Sequence, residues 1–513
     1  MAKGKYIMGI DAGTSVTKAV LFDLDGREIK SHGIPTKILS PAFNWVEVDM
    51  NELWEWVRTC IRTLAQSVEP GSIIGIGITA QGDGTWMIDR NGESVRPGIC
   101  WCDGRASEEI ATWHADGTAD AAFEICGTSV FTGSQSAQVR WLEKHEPESL
   151  QRAQVIFHCK DWLFYKLTGV TSTDETDESL PLLNMSTRQY DRRLFELYGI
   201  QKYMDKYPEV RPCPQNFAEI RPEVARDLGL SGDVVVASGP MDVSACALGV
   251  GAIENGQACT IMGTAAIHEV VMDSPLLEPK MMGMTLCHCD ESRWIRLMAA
   301  MAGTPNLEWF FREMGGQIVS DARNAGHDVY DHAAAIIDSV PVGSEGVVFH
   351  PYLFPGGERA PFVKPSARAS FTGISLNHGN HHLLRAVYEG IAMAMLDCYK
   401  HMPIPVAEVN LCGGGAKSRA WCQIFADALG ADVVITEGEE LGALGAAINC
   451  GVATGVYPSF SEAVKRTVRT ARRHHPDPEK KPLYEGLYEL YRLTYKQLWD
   501  TWDLRARLTS GEA

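Results

Sequence analysis

The chain has no apolar run near the ~20 residues that a membrane-spanning helix needs. It is also short of positive charge. Against 65 Asp and Glu stand only 47 Lys and Arg, a formal charge of −18, so neither nucleic acid nor an anionic membrane is expected as a partner. An apolar signal region is missing as well: MAKGKYIMGID leads straight into a strand pattern, and a cytoplasmic protein is expected. The fourteen cysteines are scattered, with many in apolar strands or helices (Cys60, Cys246, Cys422, Cys450). They read as reduced thiols. Their tightest group, Cys287-His288-Cys289, has no second pair at ligand spacing, which disfavours zinc. Residues 75-GIGITA-80 have the spacing of a dinucleotide fingerprint. Their glycines lie inside a β-branched run that leads into Gln81-Gly82-Asp83-Gly84, with no helix following, so a nicotinamide cofactor is not expected.

Among the features present, 6-YIMGIDAGTSVTKAVLFD-23 is the most informative. It reads as two strands joined by a turn suited to phosphate. Gly13 permits close approach of an anion, Thr14 and Ser15 offer donors, and Lys18 adds positive charge. Asp11 ends the first strand; a carboxylate beside phosphate suggests a bridging divalent cation. An ordinary Gly-Thr hairpin is the alternative. The stretch 259-CTIMGTAAIHEVV-271 repeats the pattern around Gly263-Thr264. In 411-LCGGGAKSRAWCQIFADALG-430 a strand, a triple-glycine turn and an amphipathic helix follow one another, an arrangement that lets a ligand lie against backbone at a helix N-terminus. In 238-SGPMDVSACALG-249, Asp242 stands in a glycine-flanked turn after the strand 234–237.

These four segments, in this order, resemble the two-domain FGGY carbohydrate kinases of the glycerol kinase and xylulokinase type. Further matches are 101-WCDGR-105, 158-HCKDWLFYKLTG-169, 357-GERAP-361 and 371-FTGISLNHGNHHLLRAVYEGIA-392. The turn in 78-ITAQGDGTWMID-89 looks like the substrate-reading turn of erythritol kinases. The resemblance runs from about Tyr6 to about Val456. It implies an α/β protein with two actin-like, ribonuclease-H-like ATPase domains flanking a catalytic cleft. The length, 513 residues, is too great for one core and fits two. Residues 1–250 are expected to carry the first phosphate turn, the substrate turn and Asp242, and 251–456 the second phosphate turn and the adenosine site. Residues 457–513 form a tail. There Leu483, Leu487, Leu490, Tyr491, Leu498 and Trp502 keep a helical stripe that suits docking on the chain's own body or on a second copy, as in a homodimer.

The family resemblance implies ATP and Mg²⁺ as cofactors. It places Asp242 as catalytic proton acceptor and Asp11 at the metal, through a bridging water since Mg²⁺ dehydrates reluctantly. Gly13, Thr14, Ser15 and Lys18, with Gly263 and Thr264, would clamp phosphates; Gly303, Gly414, Gly415 and Ser418 match positions near the nucleotide. Asp242 as a helix N-cap is a compatible alternative. For the substrate, Gln81, Asp83 and Trp101 join Asp242. Where glycerol kinases carry an Arg-Glu pair after the Gln, this chain has Gly82-Asp83. Val243 replaces their Gln, and 133-GSQSAQVRW-141 lacks their substrate-contacting Tyr, all of which argues against glycerol. Trp101 reads either as packing on the ligand's carbon chain or as a core aromatic. Asp103 and Arg105 read as a supporting pair. The expectation is ATP-dependent phosphorylation of a small acyclic polyol, with erythritol favoured. A ketopentose kinase, for example for L-xylulose, is the runner-up, and a non-enzymatic actin-like nucleotide switch is the alternative of another class.

Overall fold

The computed structural model describes residues 4–510. In chain order, the strands that organise it are β1 (Tyr6–Ala12), β2 (Val16–Asp23), β3 (Glu28–Pro35), β4 (Ile73–Ala80), β5 (Phe217–Glu219) and β6 (Val235–Ser238). They continue with β7 (Gln257–Met262), β8 (Ala266–Met272), β9 (Trp294–Ala300), β10 (Glu408–Gly413), β11 (Asp432–Thr436) and β12 (Thr470–His474). The helices that matter are α1 (Met50–Ala65), α2 (Cys159–Thr168), α3 (Asp242–Gly249), α4 (Asn380–Lys400), α5 (Arg419–Leu429), α6 (Leu441–Ala453) and α7 (Lys481–Gln497). Two compact units form, and they interleave along the chain. Of the described residues, one holds 4–255, 271–296 and 438–469; the other holds 256–270, 297–437 and 470–510.

The first unit is built on a sheet ordered β5-β6-β4-β1-β2-β3. β1 and β2 form an antiparallel hairpin with Asp11 opposite Lys18, and β1 runs parallel to β4 with Asp11 beside Thr79. β4 and β6 are parallel, and β5 closes the edge antiparallel. Helix α1 forms where the sequence keeps Leu53, Trp54, Val57, Ile61 and Leu64 on one face, and all five are buried. Asp49 starts it by accepting from the N–H groups of Asn51 and Glu52 at 2.8 and 2.9 Å. Trp162 of α2 packs in the same core and donates its indole N–H to the Met50 carbonyl at 2.8 Å. A second apolar cluster, around Trp113, Trp141 and Phe195, serves the helical stretch between β4 and β5.

The second unit repeats the plan. Within its sheet these six strands run in the order β9-β8-β7-β10-β11-β12. Here β7 and β8 make the hairpin, β10 lies parallel to β7, β11 parallel to β10, and β12 antiparallel at the edge. Strand order and direction therefore match the first unit from hairpin to edge, which is the actin-like duplication. Helix α4 is buried on every side from Leu384 to Tyr399, as expected of a core helix. Helix α7 docks on this unit by Tyr484, Leu487, Tyr491 and Tyr495, while Leu483 and Leu490 face solvent. Of the expected stripe, Leu487, Tyr491 and Trp502 are buried while Leu483 and Leu490 are exposed, and Tyr484 and Tyr495 join the buried face; the Tyr491 hydroxyl meets that of Tyr352 at 2.7 Å. Among the described residues, no helix is long and apolar enough to cross a membrane. None of the fourteen cysteines, all among the described residues, is in a disulfide; Cys102 is exposed, Cys246 half-buried, and the others buried.

The glycines of 75-GIGITA-80 have a packing role. Helix α6 lies on the sheet of the first unit so closely that a Cβ on Gly77 would stand 2.0 Å from the Ala446 carbonyl oxygen, and one on Gly9 2.1 Å from that of Ala443. The same helix meets α3 backbone to backbone, where a Cβ on Gly445 would stand 1.9 Å from the Ala245 oxygen. Alanine normally stabilises a helix interior relative to glycine by about 1 kcal/mol. Gly445→Ala is expected to do the opposite and cost about 1–3 kcal/mol, since neither backbone can yield cheaply. Gly486→Ala in α7, where nothing lies within 4 Å of the added carbon, should stabilise. Urea midpoints of the two variants moving in opposite directions from the parent would bear this out.

Candidate active site

In the first unit the sheet carries the hairpin turn to the substrate turn. Gly13 N–H closes the hairpin on the Val16 carbonyl at 3.1 Å, and the Gln81 N–H continues the β1–β4 ladder by donating to the Ala12 carbonyl at 3.1 Å. Side chains from three segments then meet: the Thr14 hydroxyl donates to Gln81 Oε1 at 3.3 Å and accepts from the Trp101 indole N–H at 2.9 Å. Trp101 is 38% exposed, which removes the core reading of that residue. Thr36, which has no motif around it, fixes the turn by donating to the Gly13 carbonyl at 2.9 Å. Ser15 is exposed and its carbonyl accepts from Thr36 N–H at 2.9 Å.

Lys18 does not stand as an unpaired cation at the turn. It forms an ion pair with Glu440, just ahead of α6. The two are 422 residues apart, so no local pattern announces the pair. Asp11 is half-buried at the end of β1; Gly442 lets it approach α6, since a Cβ there would be 3.3 Å from Asp11 Oδ2. Burial raises the Asp11 carboxyl to about 6, with Lys18 opposing and Glu440 adding to the shift.

Asp242 is the first residue of α3, with Met241 at the cap position. Its Oδ1 accepts from the N–H of Val243 at 2.8 Å, so it takes up a helix-end donor without being the N-cap. Burial and then the Asp11 charge push it up to about 7, against the pull of the Val243 N–H. The substrate turn passes beside it: a Cβ on Gly82 would lie 3.7 Å from Asp242 Oδ1 and 3.0 Å from the Met241 sulfur. Gln81 and Asp83 are both buried. Asp103 and Arg105 form the expected support, with Arg105 bridging Asp103 at 2.8 Å and Glu47 at 2.6 Å. Asp11 and Glu440 thus stand beside Lys18, and among the described residues no three Asp, Glu, His or Cys side chains gather into a ready-made metal site, so Asp11 is the one hard-oxygen donor here that would meet a magnesium ion arriving with its nucleotide.

In the second unit the hairpin turn is Gly263-Thr264-Ala265, closed by Gly263 N–H on the Ala265 carbonyl at 3.0 Å. Gly303 packs against it so tightly that a Cβ would fall 2.3 Å from the Thr264 oxygen. Thr304 donates both its N–H and its hydroxyl to the Gly263 carbonyl, at 2.9 and 3.1 Å. Glu358 of 357-GERAP-361 is buried and accepts from the N–H groups of Met301 and Arg359 at 2.8 Å each, tying down the segment that bears Gly303. The triple-glycine turn follows β10. Gly413 has φ of 83°, where side chains are disfavoured, and Gly414 is exposed. Gly415 is buried against Met262, whose Cγ would lie 2.4 Å from an added Cβ. The Ser418 hydroxyl is engaged as the N-cap of α5, accepting from Trp421 N–H at 3.3 Å.

Each unit therefore presents a glycine-threonine hairpin turn on the same strand plan, and the first adds a carboxylate aimed at the substrate turn. Residues 6–249 match the N-terminal domain of the FGGY family of carbohydrate kinases, and residues 258–454 its C-terminal domain. An erythritol kinase from Brucella abortus (strain 2308) is 32% identical, covering 99% of this chain and 99% of that protein. An L-xylulose/3-keto-L-gulonate kinase from Escherichia coli (strain K12) is 31% identical over 95% of this chain and 96% of its own length. The crystal structure of ligand-bound xylulose kinase from Lactobacillus acidophilus superposes with a TM-score of 0.89 at 24% identity, covering 96% of this chain and 98% of that one. The chain belongs to the FGGY family of carbohydrate kinases, phosphotransferases with a hydroxyl group as acceptor.

Proposed function

We propose that the protein transfers the γ-phosphoryl group of ATP to a terminal hydroxyl of a small acyclic polyol, erythritol before others, giving the polyol phosphate and ADP. The observation that carries this reading is the placement of the 81-QGDGTW-86 turn beside Asp242, with Gly82 making room for a ligand and Asp83 supplying an acceptor for vicinal hydroxyls. The relative named as an erythritol kinase supports the choice of polyol. The relative named as an L-xylulose/3-keto-L-gulonate kinase supports a ketopentose as second reading.

Asp242 accepts the proton of the attacking hydroxyl. The hydroxyl oxygen then forms a bond to the γ-phosphorus as the bond from that phosphorus to the β-phosphate oxygen breaks, and ADP leaves. A carboxylate raised to about 7 is a stronger base than an ordinary one while still ionised in good part near neutrality. Gln81, Asp83 and Trp101 orient the polyol. Gly13, Thr14 and Ser15 offer turn donors to phosphate, with Lys18 balancing Glu440 beside them. Gly263 and Thr264 serve the phosphates on the second unit, and Gly303, Gly414, Gly415 and Ser418 the nucleoside side. Asp11 would hold Mg²⁺, which neutralises phosphate charge when bound.

A panel of C3 to C5 polyols and ketoses, assayed by ADP release, tests the substrate: erythritol should give the highest kcat/KM, and a ketopentose in that place would favour the second reading. Asp242→Asn should lower kcat by roughly 10²-fold or more while leaving nucleotide affinity nearly intact. Turnover should also fall as pH drops, because a protonated Asp242 cannot accept the hydroxyl proton; the residual activity of Asp242→Asn should lack that acid limb. Asp11→Ala should abolish Mg²⁺-dependent turnover with an unchanged melting curve, and calorimetry finding undiminished Mg·ATP affinity together with normal activity would remove Asp11 from the metal.

A further inference from the structure

Asp83 has φ of 55°, a left-handed backbone that Asp visits more readily than most side-chain-bearing residues but that still costs energy and persists best where its surroundings hold it. Two buried side chains grip its peptide from either side. Its N–H donates to Asp177 Oδ1 at 3.3 Å, and its carbonyl oxygen lies 3.4 Å from His158 Nδ1. The two partners also face each other, with His158 Nδ1 3.7 Å from Asp177 Oδ1, while His158 Nε2 lies 3.5 Å from Glu178 Oε1. All three side chains are fully buried. Burial by itself would discharge His158, but the Asp177 and Glu178 carboxylates outweigh it and raise the imidazole, so both ring nitrogens carry protons and Nδ1–H can donate to the Asp83 carbonyl.

The carboxylates need further compensation, and Lys160 supplies it: its fully buried ammonium lies 2.6 Å from Asp161, 2.7 Å from Asp174 and 3.5 Å from Asp177. The segment that bears Asp177 also reaches α3, since the Met241 N–H, directly before Asp242, donates to the Thr176 hydroxyl at 3.0 Å. The same short stretch thus supports the substrate turn through Asp177 and the start of the Asp242 helix through Thr176.

We infer that His158 and Asp177 are positioning residues that hold the Asp83 peptide in its left-handed conformation and thereby set affinity for the acceptor substrate. The inference rests on the proposed role of the 81–84 turn in binding that substrate. Neither residue touches the reacting atoms. Their loss should raise KM for the acceptor and spare both kcat and the KM for ATP, the signature of lost uniform binding.

The experiment uses full-length protein and the variants His158→Gln and Asp177→Asn, with thermal melting to verify folding. Hydrogen–deuterium exchange of peptides covering 81–86 is read without substrate, so it decides the clamp whether or not the substrate is correctly named. Exchange there should become at least about tenfold faster in either folded variant, with 73–78 of β4 unchanged. Unchanged exchange in whichever variant folds would overturn the inference. In the assay, run with the acceptor that the parent protein turns over fastest, KM for the acceptor should rise roughly tenfold with kcat within about threefold. A loss confined to kcat, or an unchanged acceptor KM, would overturn it too. A parent protein that phosphorylates no polyol or ketose would instead refute the proposed function, leaving the exchange result to stand on its own.

Discussion

Helix α6 comes to the sheet of the first unit with its backbone where side chains usually intervene. Glycines at 9 and 77 on the sheet, and the Gly249 and Gly445 positions of α3 and α6, make this possible, because a Cβ at any of them would overlap a carbonyl oxygen. The consequences for the site are direct. The approach brings Glu440 to Lys18 and the start of α6 to Asp11, and it fixes α3, whose first residue is Asp242. Close packing of small residues is therefore what assembles carboxylates from distant parts of the chain in one place. Dense interiors transmit even a methyl-sized change, so these positions have little freedom to vary.

Collecting carboxylates has an electrostatic cost that the fold uses. Burial raises both Asp11 and Asp242, with Glu440 adding to the shift of the first and the Asp11 charge to that of the second. Repulsion of this kind is relieved by a cation or by a proton in transit, which is what phosphoryl transfer from a magnesium nucleotide requires. A few residues away, Lys160 and His158 neutralise a second acidic group of Asp161, Asp174, Asp177 and Glu178. Two cations are built into that group, whereas beside Asp11 the one ammonium, Lys18, is shared with Glu440.

The two units share strand order and hairpin turn but equip the turn differently. In the first, Thr14 is drawn into a polar set with Gln81 and Trp101. In the second, the Gly263 carbonyl is anchored by Thr304, and the neighbouring segment by Glu358. The same strand plan thus carries a turn tied into side-chain hydrogen bonds in one unit and backbone-rich, glycine-lined turns in the other.

Much of this was legible in the residues. Hairpin turns, helix α1 and the strand-to-helix unit at the triple glycine follow from local patterns of β-branching, 3.6-residue periodicity and glycine, which act over a few residues and survive in any context. The order of the motifs pointed to the family that the whole-chain matches bear out. Other features had no local signal. The helical stripe of the tail placed Leu487, Tyr491 and Trp502 on the buried face but not Tyr484 and Tyr495, whose burial depends on the segments they pack against. The glycines of 75-GIGITA-80 excluded a cofactor fingerprint, yet their purpose appeared only with α6 lying on them. Lys18 read as added positive charge at the turn, and nothing local to it shows that Glu440 shares that charge. The local sequence determined which turns and helices form and which chemistry they offer. Which charges meet, and which are cancelled, was decided only by tertiary structure, because burial and proximity are properties of the packed chain and not of any stretch of it.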